Sequence, residues 1–290
     1  MTASSTASRL TLRGLALGYL GLLLLLPVGL ILYQAYEEGL GNLFEAVTTP
    51  EALAAMKLTL ISVAFAVPLN AIFGVGCAIL LVRKDFHGKG VLNAMIDLPF
   101  ALSPIVIGLA LLLVYGNEGW FGGWLAENGI EIVASTPGIV MACMFVSLPF
   151  VVREVMPVLR EIGTEQEQAA STLGAGPWQT FWRVTLPSIR WGLGYGIVLT
   201  TARVLGEFGA VTVISGNIVG DESTRTLPLF VEAAFRNFDV AGYLGATIVL
   251  ALIAFIALFA MNRVGSRTGE AERGAVLPVG REAIKPKETG

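Results

Sequence analysis

The stretch Thr164–Pro187, TEQEQAASTLGAGPWQTFWRVTLP, is polar and lies between long apolar segments, and its reading decides the fold. Thr164 and Glu167 stand three residues apart, the spacing of a capping box in which two side chains satisfy the orphan amides of a helix start. Ala169, Ala170 and Leu173 suit a helix interior, and Gly174 can take the left-handed turn that ends one. Pro177 restarts the chain in a helical sense, and Phe181 and Trp182 give this second short helix bulky anchors. Pro187 lacks an amide and is expected to close the unit before the next apolar run. Two short helices joined by a glycine hinge result.

Outward from this stretch the chain is oily. On its N-terminal side a span of about Ile132 to Val152, with Pro137 and Pro149, leads through Arg153 and Arg160 into it. On its C-terminal side a span begins near Trp191 and ends near Ile214. Earlier, the run LALGYLGLLLLLPVGLILYQAY after Gly14 supplies the roughly 20 apolar residues that a crossing helix needs. It exceeds the ~7 to 15 residues of a signal-peptide core and lacks a clear small-x-small cleavage site, so it reads as a retained first span. Glu37, Glu38, Glu45 and Glu51 then make an acidic loop. A second span runs from about Leu58 to Val82 and stops at Arg83 and Lys84, and a third from Met95 to Tyr115, where Pro99 and Pro104 are expected to kink it.

The segment YGNEGWFGGWLAENGIEIV is rich in Gly and Trp and holds Glu118, Glu127 and Glu131 but no Lys or Arg, a composition that suits the outer interface. Between Ser215 and Asp239 the apolar piece TLPLFVEAAF, Thr226 to Phe235, is about half the length of a crossing and reads as an interfacial or re-entrant helix. The last span, about Ala241 to Met261, stops at Arg263. Six spans thus occupy residues 14–263, with the polar loop at 160–188, a cytoplasmic tail at 1–13 and a disordered cytoplasmic tail at 264–290. The expected fold is an all-α polytopic membrane protein.

Composition agrees: of 290 residues 54% are hydrophobic and only 14% charged, which places the chain in the lipid bilayer. A net charge of -3 with no clustered Lys or Arg argues against nucleic acid. Cys77 and Cys143 sit far apart in apolar runs with no metal-ligand spacing. His87, the single histidine, lies in a short loop, so no metal pair and no Ser–His dyad is available at membrane depth. Gly88-Lys89-Gly90 lacks the spacing and the Ser/Thr of a phosphate-binding loop, and Gly192, Gly194 and Gly196 follow no strand. Catalytic residues, cofactors and metal ligands are therefore not assigned.

Basic residues orient the chain. With both termini inside, the inner face holds Arg9, Arg13, Arg83, Lys84, Lys89, Arg153, Arg160, Arg183, Arg190, Arg263 and Arg267, against Lys57, Arg225 and Arg236 outside. Thr164–Pro187 then faces the cytoplasm. The one strong polar anomaly in the spans is ARVLGEFGAV, where Arg203 and Glu207 are four residues apart, on one helix face, with Phe208 beside them. Such charges pair, face the bundle interior or line a wet path, because each costs ~2.5 to 3.5 kcal/mol at the centre of a span. A packing ion pair and a path or gate are both open. The spacings Gly192–Gly196 and Gly206–Ala210 would let helices approach closely, with no indication of the partner.

Gln168-Ala169-Ala170, three residues, Gly174, nine residues and Val184-Thr185-Leu186-Pro187 resembles the EAA loop of ABC importer permeases. Gln168 stands where that pattern has Glu, with Glu167 and Glu165 close by, and Val184 replaces Ile. An ordinary amphipathic linker is the plainer alternative. The runs DLPFALSPIVIGL, YGNEGWFGGWL, PFVVREVMPVL and ARVLGEFGAV are in turn similar to the W-type permeases of sulfate/thiosulfate ABC importers, and the resemblance covers most of the chain. GEFGA is shared with molybdate permeases.

That resemblance implies an ATPase-coupling loop in which Glu167, Gln168, Ala169, Ala170, Gly174, Leu186 and Pro187 meet a cytoplasmic ATPase. It implies an inner-membrane protein paired with a T-type permease, two copies of the ATPase, and a periplasmic sulfate-binding protein. Arg203, Glu207 and Phe208 are then candidates for the translocation path or gate. The chain itself is not expected to be an enzyme, since ATP must be hydrolysed on another polypeptide. Molybdate or tungstate is the competing cargo, and a passive anion channel or a scaffold would need no coupling spacing. A membrane-embedded hydrolase would need a nucleophile and base that the spans lack.

Overall fold

The computed structural model describes residues 3–216 and 224–275, with side chains described from residue 11 to residue 259 within those ranges. Among these residues all the regular structure is helical. The elements are α1 (Ala3–Glu38), α2 (Leu40–Val47), α3 (Pro50–Arg83), α4 (Lys89–Ala101), α5 (Pro104–Tyr115), α6 (Gly122–Glu127), α7 (Thr136–Ile162), α8 (Glu165–Thr172) and α9 (Pro177–Thr180). A π-helical turn, Phe181–Thr185, leads into α10 (Leu186–Leu205), followed by α11 (Gly209–Ile214), α12 (Leu227–Arg236) and α13 (Val240–Ala275).

Length and apolarity qualify four of the described helices to cross a membrane: α1 from Thr11, α3, α7 and α13 up to Phe259. The pair α4 and α5 makes a fifth if counted as one bent crossing. The expected span Trp191–Ile214 falls outside this test because it is interrupted and because Arg190, Arg203 and three glycines dilute α10. The apolar window of α1 buries nothing against the rest of the chain, the state of a helix whose side chains face lipid.

At the centre stands α7, packed against both α3 and α10, which also touch each other. A β-carbon at Gly74 of α3 would lie 2.7 Å from Val151 Cβ, one at Gly192 of α10 2.6 Å from the Glu154 carbonyl, and one at Gly196 2.9 Å from Val151 Cα. The Gly192–Gly196 spacing therefore has a partner, α7, and works as small residues do wherever helix backbones must touch in lipid. Both cysteines are buried in this core. Asn70 of α3 donates from Nδ2 to the Met144 carbonyl at 3.0 Å and to Ser147 Oγ at 2.8 Å, a polar clasp between α3 and α7 that the sequence reading does not single out.

Several expected boundaries shift for identifiable reasons. The acidic loop is helical: Gly39, at φ +91°, turns the chain once, and Glu45 and Glu51 then lie in α2 and α3. The third span is broken rather than kinked. Pro99 sits inside α4, whereas Leu102 and Ser103 are both extended and α5 departs at 117° to α4. Proline accounts for half of this, because Pro104 at the first turn of α5 excludes the helical conformation from Ser103. The helix of the sixth span continues past Arg263 to Ala275, where the sequence reading expects a disordered tail; that tail beyond 275, and 217–223 within the Ser215–Asp239 stretch, lie outside the described residues. The side chains of Arg9, Arg263 and Arg267, used in the orientation argument, do so too.

Candidate functional site

The polar stretch forms a compact elbow between α7 and α10. Gly163 ends α7 at φ +68°, and α8 runs for eight residues. Its end is a Schellman turn: Gly174, at φ +85°, lets its own amide reach the Ser171 carbonyl at 3.0 Å and the Ala175 amide reach the Ala170 carbonyl at 3.0 Å. Gly174 is thus the hinge expected of it.

The start of α8 is not the capping box that Thr164 and Glu167 suggest. Thr164 accepts no backbone amide, and its Oγ1 instead receives Gln168 Nε2 at 3.0 Å. Glu167 is occupied elsewhere. Its Oε1 accepts from Arg83 Nη2 at 3.2 Å and from Thr185 Oγ1 at 2.9 Å, while Oε2 faces Arg83 Nε at 3.1 Å as a charge contact without hydrogen-bond geometry. Arg83 also donates from Nη1 to the Leu159 carbonyl at 3.1 Å. The two side chains are 12% and 24% exposed, so the pair is held well inside the solvent screen that weakens surface ion pairs.

Around this cluster the candidate coupling residues divide by face. Glu167 points inward. Gln168 and Ala169 are exposed, Ala170 is half-buried, and Leu173 at the tip is 88% exposed. Beyond Gly174, Trp178 stacks on Phe181 at a ring separation of 6.0 Å and Trp182 meets both edge-on at 5.3 to 5.6 Å, with Trp178 and Trp182 exposed.

Pro187 does not close the unit. Without an amide it cannot bond the carbonyl four residues back, and the helix widens just before it: the Leu186 amide reaches five residues back to Phe181. The π turn absorbs the proline, and the backbone stays helical from Pro177 to Leu205. Leu186 packs half-buried into the α3–α7–α10 core, and Pro187 faces outward.

The second candidate site lies at the far end of α10. Arg203 is thirteen residues beyond Arg190, about 20 Å along the helix at 1.5 Å per residue, which keeps it within a hydrocarbon layer of about 30 Å. Arg203 and Glu207 do not share one continuous helix face. The helix stops at Gly206 and restarts at Gly209, and Glu207 and Phe208 form the break. The two residues still meet, Arg203 Nη1 facing Glu207 Oε2 at 2.8 Å, with side-chain exposures of 31% and 1%.

The other oxygen, Glu207 Oε1, accepts the Ala210 amide at 2.8 Å, so the carboxylate caps the restarted helix. Phe208 remains partly exposed beside it. This break touches the other one: a β-carbon at Gly209 would lie 2.9 Å from Pro104 Cβ, and one at Gly108 2.7 Å from the Ala210 carbonyl. Half-helices α5 and α11 therefore pack backbone to backbone.

Arg83, Thr185 and the polar group of Arg153, Asp97 and Asn93 escape the sequence reading as site residues. Arg153 donates from Nε to Asp97 Oδ1 at 2.7 Å and from Nη2 to Asn93 Oδ1 at 3.1 Å, with a further contact to Asp97 Oδ2, and so ties α4 to α7. Only the placement of Arg83 and Arg153 at the ends of apolar runs marks them beforehand. On the adjoining loop Lys89 beside Asp85 holds that carboxyl below its usual range.

A cyanobacterial protein of Synechocystis named a sulfate transport system permease protein of W type is 49% identical over 88% of this chain and 92% of its own length. The T-type sulfate transport system permease protein of Escherichia coli K12 is 40% identical over 88% of this chain and 92% of its own length. In three dimensions the chain is similar to a crystal structure of a bacterial ABC transporter that imports alginate, at a TM-score of 0.76 and 15% identity over 91% of this chain and 98% of that one; this likeness concerns the fold. Residues 70–270, which hold both sites, match the family of binding-protein-dependent transport system inner membrane components, and the chain is a multi-pass inner-membrane permease of that ABC importer family.

Proposed function

We propose that this chain is the W-type permease subunit of an importer that carries sulfate and thiosulfate across the inner membrane, driven by ATP hydrolysed on a separate subunit. The observation that carries the cargo is the 49% identity, over most of both chains, with a permease named for sulfate transport. The proposed partners are a T-type permease, two copies of a cytoplasmic ATPase and a periplasmic sulfate-binding protein. Both termini are placed in the cytoplasm, in keeping with the excess of Lys and Arg on the α8 side.

In this reading α8 seats in a cleft of the ATPase with Gln168, Ala169, Ala170 and Leu173 toward it, and Gly174 sets the angle at which it does so. Closure of the ATPases on ATP displaces α8 and with it the ends of α7 and α10, and the path opens alternately to each side. Arg203 favours an anion in that path only to the extent that Glu207 leaves its charge uncompensated.

The test is radiolabelled sulfate uptake by the reconstituted importer. Gly174→Val introduces no clash, since nothing lies within 4 Å of the added β-carbon, but it forces a β-branched residue to φ +85°. Uptake is expected to be lost while the protein still inserts in the membrane. Surviving uptake with stimulated ATP hydrolysis would remove the coupling assignment, and accumulation of molybdate in preference to sulfate would remove the cargo.

A further inference from the structure

Within α8 the structure separates Gln168 and Ala169, which face outward, from Glu167, whose carboxylate turns toward the bundle. Glu167 is tied by one carboxylate to three other segments: Arg83 at the end of α3, Thr185 in the π turn before α10 and, through Arg83 Nη1, the Leu159 carbonyl near the end of α7. Among the described residues no other hydrogen bond or ion pair runs from α8 to α3. Ser188 Oγ approaches Gln166 Oε1 at 3.4 Å, a long bond at an exposed position, and Gln168 only bonds back to Thr164. Without this cluster, a shift of α8 would reach α3 only by way of α7.

We propose that Arg83 is a positioning residue for energy coupling, the group through which displacement of α8 is passed to α3, with Glu167 as its lever and not as a contact to the ATPase. The inference rests on the coupling reading above and deepens it. Three features carry it. Arg83 meets both oxygens of the carboxylate, Nη2 by a hydrogen bond and Nε by charge, and a planar guanidinium held at two points resists sliding and rotation as a lysine would not. The pair lies across a sequence distance of 84 residues, so it links elements rather than decorating one. And α3 is itself locked to α7 by Gly74 against Val151 and by Asn70 against Ser147, so a pull on Arg83 moves a rigid pair of helices.

The π turn adds a consequence. Thr185 is the last residue of that turn, so the same carboxylate holds the point where the helix leading into α10 is widened and most easily bent. One lever then addresses both α3 and α10.

The test is a double-mutant cycle, Arg83→Gln and Glu167→Gln alone and together, in the complete importer reconstituted with its ATPase and binding protein. The quantity read is sulfate taken up per ATP hydrolysed. Each single variant is expected to lower it by about 5- to 150-fold, the range of ordinary coupling free energies, while the ATPase stays bound in full ratio. The double variant should lose no more than either single one.

Loss of the ATPase from the complex on Glu167→Gln would make Glu167 a docking residue and overturn the proposal. So would an unchanged ratio in either single variant, or additive losses in the double. Should the Gln variants fail to insert, Thr185→Val carries the decision, since it removes only the hydroxyl bond to Glu167: a lowered ratio supports the lever and a wild-type ratio refutes it. Absence of sulfate uptake by the unaltered importer would instead sink the transport reading, so the two failures are distinguishable.

Discussion

Two arginine–glutamate pairs sit at opposite ends of α10 and are built on opposite principles. Arg83 and Glu167 come from elements 84 residues apart and are shared with Thr185 and a carbonyl of α7. Arg203 and Glu207 are four residues apart, and the second oxygen of Glu207 goes to an amide only three residues further on. A pair across distant elements ties their motions together, whereas a local pair shapes the backbone at one place. The first is suited to passing on a displacement; the second makes a helix stop, turn and start again at a depth where unsatisfied amides are costly.

The sharpest way to break this contrast is Glu207→Leu. Leucine leaves Arg203 without its counter-charge and the Ala210 amide without its acceptor, in a place where the carboxylate is 1% exposed. Removing one partner of a buried pair costs about 3–5 kcal/mol. Thermal unfolding in detergent should show a destabilisation of that order, larger than for any substitution in the exposed face of α8. A loss no larger than for an exposed residue would mean that water reaches the break freely and that the carboxylate holds nothing.

Next in size is Gly209→Val, which tests whether the break belongs to one helix or to two. The added β-carbon would lie 2.9 Å from Pro104 Cβ and 3.3 Å from the Ile105 amide nitrogen, so α11 must separate from α5. Overpacking of this kind costs about 1–3 kcal/mol, but the expected effect on sulfate uptake is greater than that on unfolding, because both half-helices border the candidate path. An uptake rate that falls only in step with the amount of folded protein would make the α5–α11 contact ordinary packing.

Much of this arrangement is legible in the residues and some of it is not, for physical reasons. Long apolar runs announce spans α3, α7 and α13 because lipid demands them, and Gly174 announces its turn because few other residues tolerate the angle. Small-residue spacing marks Gly192 and Gly196 as a contact face, yet a spacing carries no address, and only the packed structure names Val151 and Glu154 as what they meet. Arg83 reads in sequence merely as the charge that ends a span. Its partner is brought to it by topology, which no local pattern encodes. The break at Gly206 is hidden for another reason: an Arg and a Glu four apart fit an unbroken helix equally well, and the tie is broken by the Ala210 amide, which competes for the carboxylate. Pro187 misleads because a π turn can absorb a missing amide at the cost of one residue.

The smallest effect separates two threonines that look alike in sequence. Thr49 stands before Pro50 and Glu51, and its Oγ1 accepts the Ala52 amide at 3.3 Å, so it caps α3. Thr164 stands before Glu165 and caps nothing, its Oγ1 accepting instead from Gln168 Nε2. Thr49→Ala should therefore cost about 1 kcal/mol, the usual loss for a cap, and Thr164→Ala less than about 0.5 kcal/mol, as for a surface change that breaks no such bond. Unfolding the two variants side by side in one detergent cancels most of what they share. Equal losses would mean that Thr164 Oγ1 leaves Gln168 for an amide of the first turn and caps α8 after all.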